Sequence, residues 1–255
     1  MARLAQRLNW FGWLAVIGCC ICCGPVAGGV CAQVTSDGGL QSTNQVPTDR
    51  IYDRHCNVLY LGIVGGLETP TNRRSGVVQI RDALLTPAYT DVCARTFSPY
   101  HWTAARNWIL SYFPQHPGAM TEVELEKAPK VVLVGHSLGG WAVLSVARDL
   151  DRKGIPVELT IQVDSVGFTD HTVPKNVKEA AIFHARDILM FLTTKKISAQ
   201  DASQTKLVAD LRVKGVGHES ITRDPRIREL VLRKVVSLGA DTTSAERSQS
   251  RAAAE

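Results

Sequence analysis

The sequence predicts an α/β fold, a mostly parallel sheet with helices on both faces. Three observations carry that prediction. Several short segments are apolar almost without interruption, as strands buried on both faces must be. Stretches of helical length and periodicity separate them. Composition permits one sizeable core, since the chain has 255 residues, 45% of them hydrophobic and 21% charged. With 20 Gly and 11 Pro it is neither a collagen nor a low-complexity chain, and it lacks the apolar content of a multi-span membrane protein. The net charge of +5 includes Arg3 and Arg7 of the leader and is too mild for a nucleic-acid-binding stripe.

Residues 1–32 read as an address rather than as structure. Arg3 and Arg7 form a small basic start, and no charge follows from Trp10 to Ala32. A cleaved secretory signal fits this pattern. Gly24-Pro25 and Gly28-Gly29 break the apolar helix, and Val30-Cys31-Ala32 offers small residues to a peptidase. The same run is long enough for an uncleaved membrane anchor through residues 10–32. Val16-Ile17-Gly18-Cys19 also resembles a lipobox, with lipid on Cys19. All three readings put the globular part outside the cytoplasm, secreted, periplasmic or membrane-tethered. Five of the seven cysteines (Cys19, Cys20, Cys22, Cys23 and Cys31) lie in this segment, with no His or carboxylate beside them, so no metal site is expected there. Cys56 and Cys93 remain, and an even pair in an oxidising compartment invites a disulfide.

The rest follows in order. Residues 33–50 are polar and turn-rich, a linker. Residues 57–64 (NVLYLGIV) form a buried strand ending in Gly65-Gly66. Residues 75–85 follow a Ser cap as a helix. A strand is expected at 91–97, a helix at 103–113, a β-branched strand at 130–135 (KVVLVG) and a helix at 138–150. Strands at 157–163, 180–184 and 206–213 and a helix at 226–238 complete one domain, 51–238. The polar, Ala-rich residues 239–255 read as a disordered tail.

The chemistry concentrates at the end of the third strand. Gly135-His136-Ser137-Leu138-Gly139-Gly140 is a G-x-S-x-G motif between a strand and a helix, the context that gives it meaning. The chain must reverse sharply there, and Gly135 and Gly139 remove Cβ atoms that would collide. Ser137 then projects at the mouth of the sheet, beside the free N–H groups of the helix N-terminus. A serine needs a base, and the base an orienting acid. His218 lies in a Gly-rich turn (KGVGHES) after the last strand, where a loop can carry its ring over Ser137. His55, His101, His116 and His171 precede or interrupt other elements, His136 is expected to point away from Ser137 and serve structure, and His184 to lie in the core. Three carboxylates compete as the acid. Asp164 directly follows its strand and ranks first, ahead of Asp187 and Asp170.

GHSLGG, with the chain order Ser, acid, His, resembles the α/β-hydrolase superfamily, especially lipase- and thioesterase-like members, over about residues 57–238. The resemblance implies a Ser137-His218-Asp164 hydrolase without a cofactor or metal. It implies backbone oxyanion donors at Leu138 and Val64, with Gly65 an alternative because Gly62-Ile63 replaces the family's His-Gly. It also implies a minimal fold: the first two strands have only residues 33–55 to occupy, and 164–178 is too short for a large lid. Cys56 and Cys93 would lie on neighbouring parallel strands, within disulfide reach. The expected partner is a small acyl ester, lipid esters included, and no nucleic acid. A thioesterase or acyltransferase on the same fold, or a non-catalytic membrane-tethered binding protein, are the alternatives. Tyr100 and Trp102 are candidates to wall an acyl groove, Trp141 reads as core, and Arg73-Arg74 as a solvated charge pair or an anion site.

Overall fold

Strand β1 (Val58–Ile63) is buried along its whole length, because each face of the sheet carries helices. Leu59, Leu61 and Ile63 face one apolar cluster, and Val58 and Tyr60 face the other. Each such side chain taken out of water contributes about 1.5–3 kcal/mol before entropy is counted. This is a computed structural model, and it describes residues 56–115, 120–167, 171–185 and 196–252. The leader, the linker, Asp170 and Asp187 lie outside the described residues.

The other main strands are β2 (Val92–Phe97), β3 (Lys130–His136), β4 (Val157–Val163), β6 (Val177–Ala185) and β8 (Lys206–Val213). They form a six-stranded sheet in the order β2-β1-β3-β4-β6-β8. Among the described residues every pairing is parallel. A separate two-stranded pair joins β5 (Thr172–Val173) to β7 (Ser198–Ala199). Helices α1 (Gly76–Leu84) and α5 (Pro225–Ala252) cover one face through Val77, Ile80, Ile227 and Val231. Helices α2 (Trp102–Leu110) and α4 (Leu138–Asp151) cover the other through Ala105, Ile109, Ala142 and Leu144. The buried Tyr60 hydroxyl donates to the Val77 carbonyl (3.0 Å), tying α1 to β1.

The chain winds one way from β1 to β2 and the other way from β1's far side at β3 onward. The strand order therefore reverses between β1 and β3. The carboxyl ends of strands at such a switch point leave an open crevice, the usual ligand position in α/β sheets.

Three expectations need correction. Residues 239–255 do not all form a disordered tail, since α5 continues to Ala252. Its inner stripe of Ile227, Val231, Val235 and Leu238 ends there, but Ala, Glu, Arg and Ser beyond it are compatible with helix. Helix α3 (Glu122–Lys127) was not expected, because its glutamates hide any apolar stripe and it buries no residue. Its sign is the Thr121/Glu124 capping box. Strand β6 starts at Val177 rather than 180, its first turn outward masked by Lys178 and Glu179.

Cys56 and Cys93 form a disulfide, with Cα atoms 5.7 Å apart, at the amino end of the β1–β2 pair. Ser137 sits at the opposite edge, so the bond supports stability rather than chemistry. It closes a separation of 37 residues. The chain-entropy model values such a loop at about 4 kcal/mol at most. Unreduced peptide mapping should find Cys56 linked to Cys93. The Cys56→Ser/Cys93→Ser variant should unfold at lower denaturant while keeping the reactivity of Ser137. Two free thiols in the unreduced protein would refute the assignment.

Candidate active site

The site starts from one backbone distortion. Ser137 has φ 54° and ψ −122°, a region that L-residues avoid. Its N–H still continues the sheet, donating to the Val163 carbonyl (2.9 Å), while its carbonyl accepts from Gly140 (2.9 Å) and Val166 (3.0 Å). The reversal requires bare backbone on either side. A Cβ at Gly135 would collide with the Gly139 carbonyl, and one at Gly139 with the Ile63 carbonyl of β1. The strain is thus held by contacts on both flanks and directs the Ser137 side chain out of the sheet edge.

Asp164 ends β4 in a second left-handed turn, φ 44°. Its N–H donates to the Phe183 carbonyl (2.6 Å), and its Oδ1 accepts from the Ala185 N–H (3.0 Å). Those two bonds to β6 leave Oδ2 free to face His218, whose Nδ1 lies 2.6 Å away. The carboxyl is 1% exposed. On the other side of the ring, Nε2 lies 2.8 Å from Ser137 Oγ. A ring donating from Nδ1 to a carboxylate has, when neutral, its lone pair on Nε2, facing the hydroxyl. The loop that carries His218 is held by the Gly217 N–H to Ser220 Oγ (2.9 Å) and, further along, by Thr222 Oγ1, which accepts from the Gly76 N–H (3.0 Å).

The structure thus brings together Ser137, His218 and Asp164, the three residues ranked first from sequence. It does not leave Val64 available. The Val64 N–H donates to the Phe97 carbonyl (3.1 Å), because β1's hydrogen-bond ladder with β2 runs one residue past the strand. The Gly65 N–H is also taken, by Glu68 Oε1 (3.2 Å). The first uncommitted backbone after β1 is Gly66, where a Cβ would sit 3.5 Å from Leu138 Cδ2 and 3.1 Å from Tyr100 Oη. Leu138 opens α4, so its N–H has no acceptor within the helix.

The remaining candidates separate. Tyr100 is exposed at this edge beside Gly66, whereas Trp102 and Trp141 are half-buried and meet edge to face at 6.4 Å. Arg73 and Arg74 are exposed. His184 is not a core residue; it is half-buried, 3.4 Å from Asp210 on β8, because β8 is an edge strand.

One residue was missed. Glu68, three residues after Gly65, meets His136 Nδ1, and His136 Nε2 lies 2.8 Å from the His218 carbonyl oxygen. Burial alone would raise the Glu68 carboxyl, but the hydrogen bond and charge of His136 and the Gly65 N–H outweigh it and hold it below the usual carboxylate range. The signal available in sequence was an acid just past a Gly-Gly turn at the end of a buried strand.

The parallel sheet and the strained serine between β3 and α4 make the fold α/β-hydrolase-like. No family model matches the sequence, and no curated protein matches it either. Among solved structures it is similar to Est1E from Butyrivibrio proteoclasticus, at 14% identity and TM-score 0.40 over 76% of this chain and 91% of that one. It is similar to ClbQ from the colibactin NRPS/PKS pathway, at 11% identity and TM-score 0.42 over 72% and 99%. It is also similar to alpha/beta hydrolase domain-containing protein 10 from mouse, at 12% identity and TM-score 0.40 over 72% and 90%. Likeness at this level carries no substrate across.

The strain at Ser137 has a measurable consequence. Ser137→Gly and Ser137→Ala both lose the hydroxyl, but only glycine tolerates φ 54° without strain. Denaturant melts should find Ser137→Gly the more stable of the two by about 1 kcal/mol. The opposite order would mean that the elbow stores no strain.

Proposed function

We propose that the chain is an exported serine hydrolase that cleaves carboxylic esters through an acyl-enzyme. The observation that carries this reading is the unbroken relay from Asp164 Oδ2 to His218 Nδ1 (2.6 Å) and from His218 Nε2 to Ser137 Oγ (2.8 Å). His218 takes the proton of Ser137 as the oxygen attacks the acyl carbon, then returns it to the leaving alcohol. Asp164 fixes the ring tautomer and stabilises the imidazolium that forms. Water repeats the sequence and releases the acid. The Leu138 N–H is one oxyanion donor. The other passes from Val64 to the Gly66 backbone, which lies beside the Leu138 side chain and has no ladder to complete. The uncharged run from Trp10 to Ala32 supports export, or a tether with the hydrolase outside the cytoplasm. Export disfavours cytosolic thioesters, so an ester ranks above a thioester or a transfer to another alcohol. The exposed Leu67 and Tyr100 at the rim suit an apolar acyl chain.

A fluorophosphonate probe should label the protein at Ser137, and a panel of p-nitrophenyl acyl esters should be turned over. Ser137→Ala and His218→Ala should each abolish turnover with folding intact. The double variant should be hardly worse than either, since the residues act as a unit. Asp164→Asn should lower kcat by about three to four orders of magnitude, and Asp187→Asn far less. Absence of labelling in the folded wild type would favour a non-catalytic scaffold. Full activity in His218→Ala would refute the relay.

A further inference from the structure

We propose that Glu68 and His136 are positioning residues, a second acid–imidazole pair that holds His218 by its backbone rather than by its ring. The inference rests on the hydrolase reading above and extends it beyond the three reacting residues.

The geometry is a chain of contacts from one loop, through the end of a strand, to another loop. Glu68 lies in the loop after β1, and its Oε1 accepts the Gly65 N–H (3.2 Å) and meets His136 Nδ1. His136 ends β3, immediately before Ser137, and is 1% exposed. Its Nε2 lies 2.8 Å from the His218 carbonyl oxygen, and the two imidazole rings are 4.8 Å apart, tilted by 41°. A carbonyl oxygen only accepts, so His136 Nε2 carries a proton. Glu68 Oε1 meets the other ring nitrogen, so each nitrogen of a buried ring has a partner on a different loop.

The task follows from where His218 sits. Its loop is exposed on both sides of it, with Lys214, Gly215, Gly217 and Glu219 all open to solvent and Gly215 at φ 76°. The two bonds to its ring involve the groups that exchange protons, so they change during turnover. The bond to its carbonyl does not. Because His136 is the residue before the nucleophile, that bond measures the position of the base directly from the strand that carries Ser137. The Glu68 end extends the same measurement to the loop after β1, where the second oxyanion donor lies. A misplacement of about 1 Å among such groups costs up to 100-fold in rate.

Two substitutions of His136 separate positioning from space-filling. The amide nitrogen of glutamine stands near the place of imidazole Nε2, and that of asparagine near Nδ1. His136→Gln therefore keeps the donor to the His218 carbonyl, and His136→Asn keeps only the donor to Glu68. Two readouts are compared in folded protein: the rate of fluorophosphonate labelling, and the downfield proton resonance of His218 Nδ1, identified by its loss in Asp164→Asn. His136→Gln should label within about threefold of wild type, and His136→Asn about 10- to 100-fold more slowly. The resonance should persist in the first and broaden or vanish in the second. Equal behaviour of the two variants, or a labelling rate in His136→Asn equal to wild type, overturns the proposal. Should His136→Asn not fold, His136→Ala replaces it, with slower labelling and a broadened resonance expected and an unchanged rate and resonance overturning. A wild type that fails to label sinks the hydrolase reading alone, and the resonance in the variants still decides the positioning.

Discussion

The candidate site depends on one backbone reversal that no ordinary packing would tolerate. At Ser137 the chain passes from a fully buried strand into a helix within one residue at positive φ. Two consequences follow from the same turn. The serine hydroxyl is thrust clear of the sheet edge, and the first N–H groups of α4 are aimed at the same space. The reversal survives because the bonds of Ser137 to Val163, Gly140 and Val166 hold it from both neighbours in the sheet and helix. The backbone of Gly139 then presses against the end of β1, so the strain is braced by the strand that supplies the opposite wall of the site.

The sheet supplies what the turn alone cannot. Parallel strands end together, so β1, β3, β4 and β6 deliver their C-terminal residues to one edge. Asp164 is held at that edge by two bonds to β6, one from its backbone and one to its carboxylate. That leaves a single carboxylate oxygen facing His218, as expected where a buried charge must keep all its acceptors occupied. His218 arrives on a loop after β8, at the far side of the sheet, and that loop must cross two strands to reach Ser137. The Glu68–His136 pair meets that loop at the His218 carbonyl, from the strand that carries Ser137.

Much of the architecture was legible in the chain, for physical reasons that differ between elements. Strands β1, β3 and β4 are read easily because burial on both faces demands continuous apolar side chains. Helix α4 is read from its motif and its apolar period. Helix α3 escapes because its stability comes from a capping box and exposed glutamates rather than from a buried stripe. The far half of α5 escapes because polar and small residues form helix without any pattern that announces it.

At the site, the sequence by itself singled out Ser137 and His218 and ranked Asp164 ahead of Asp187 and Asp170, and the structure brings Ser137, His218 and Asp164 within hydrogen-bond distance of one another. Gly135 and Gly139 around a serine between strand and helix leave one backbone path, and the strand-end and loop positions of Asp164 and His218 follow from that topology. Only the tertiary structure decided the rest. Whether the Val64 N–H is free depends on how far the β1–β2 ladder runs, and it runs one bond further than the strand pattern implies. The partnership of Glu68, His136 and the His218 carbonyl joins residues 68 and 82 positions apart in sequence. No local pattern encodes such a contact, because a hydrogen bond between distant loops is specified by the packing of the whole sheet beneath them.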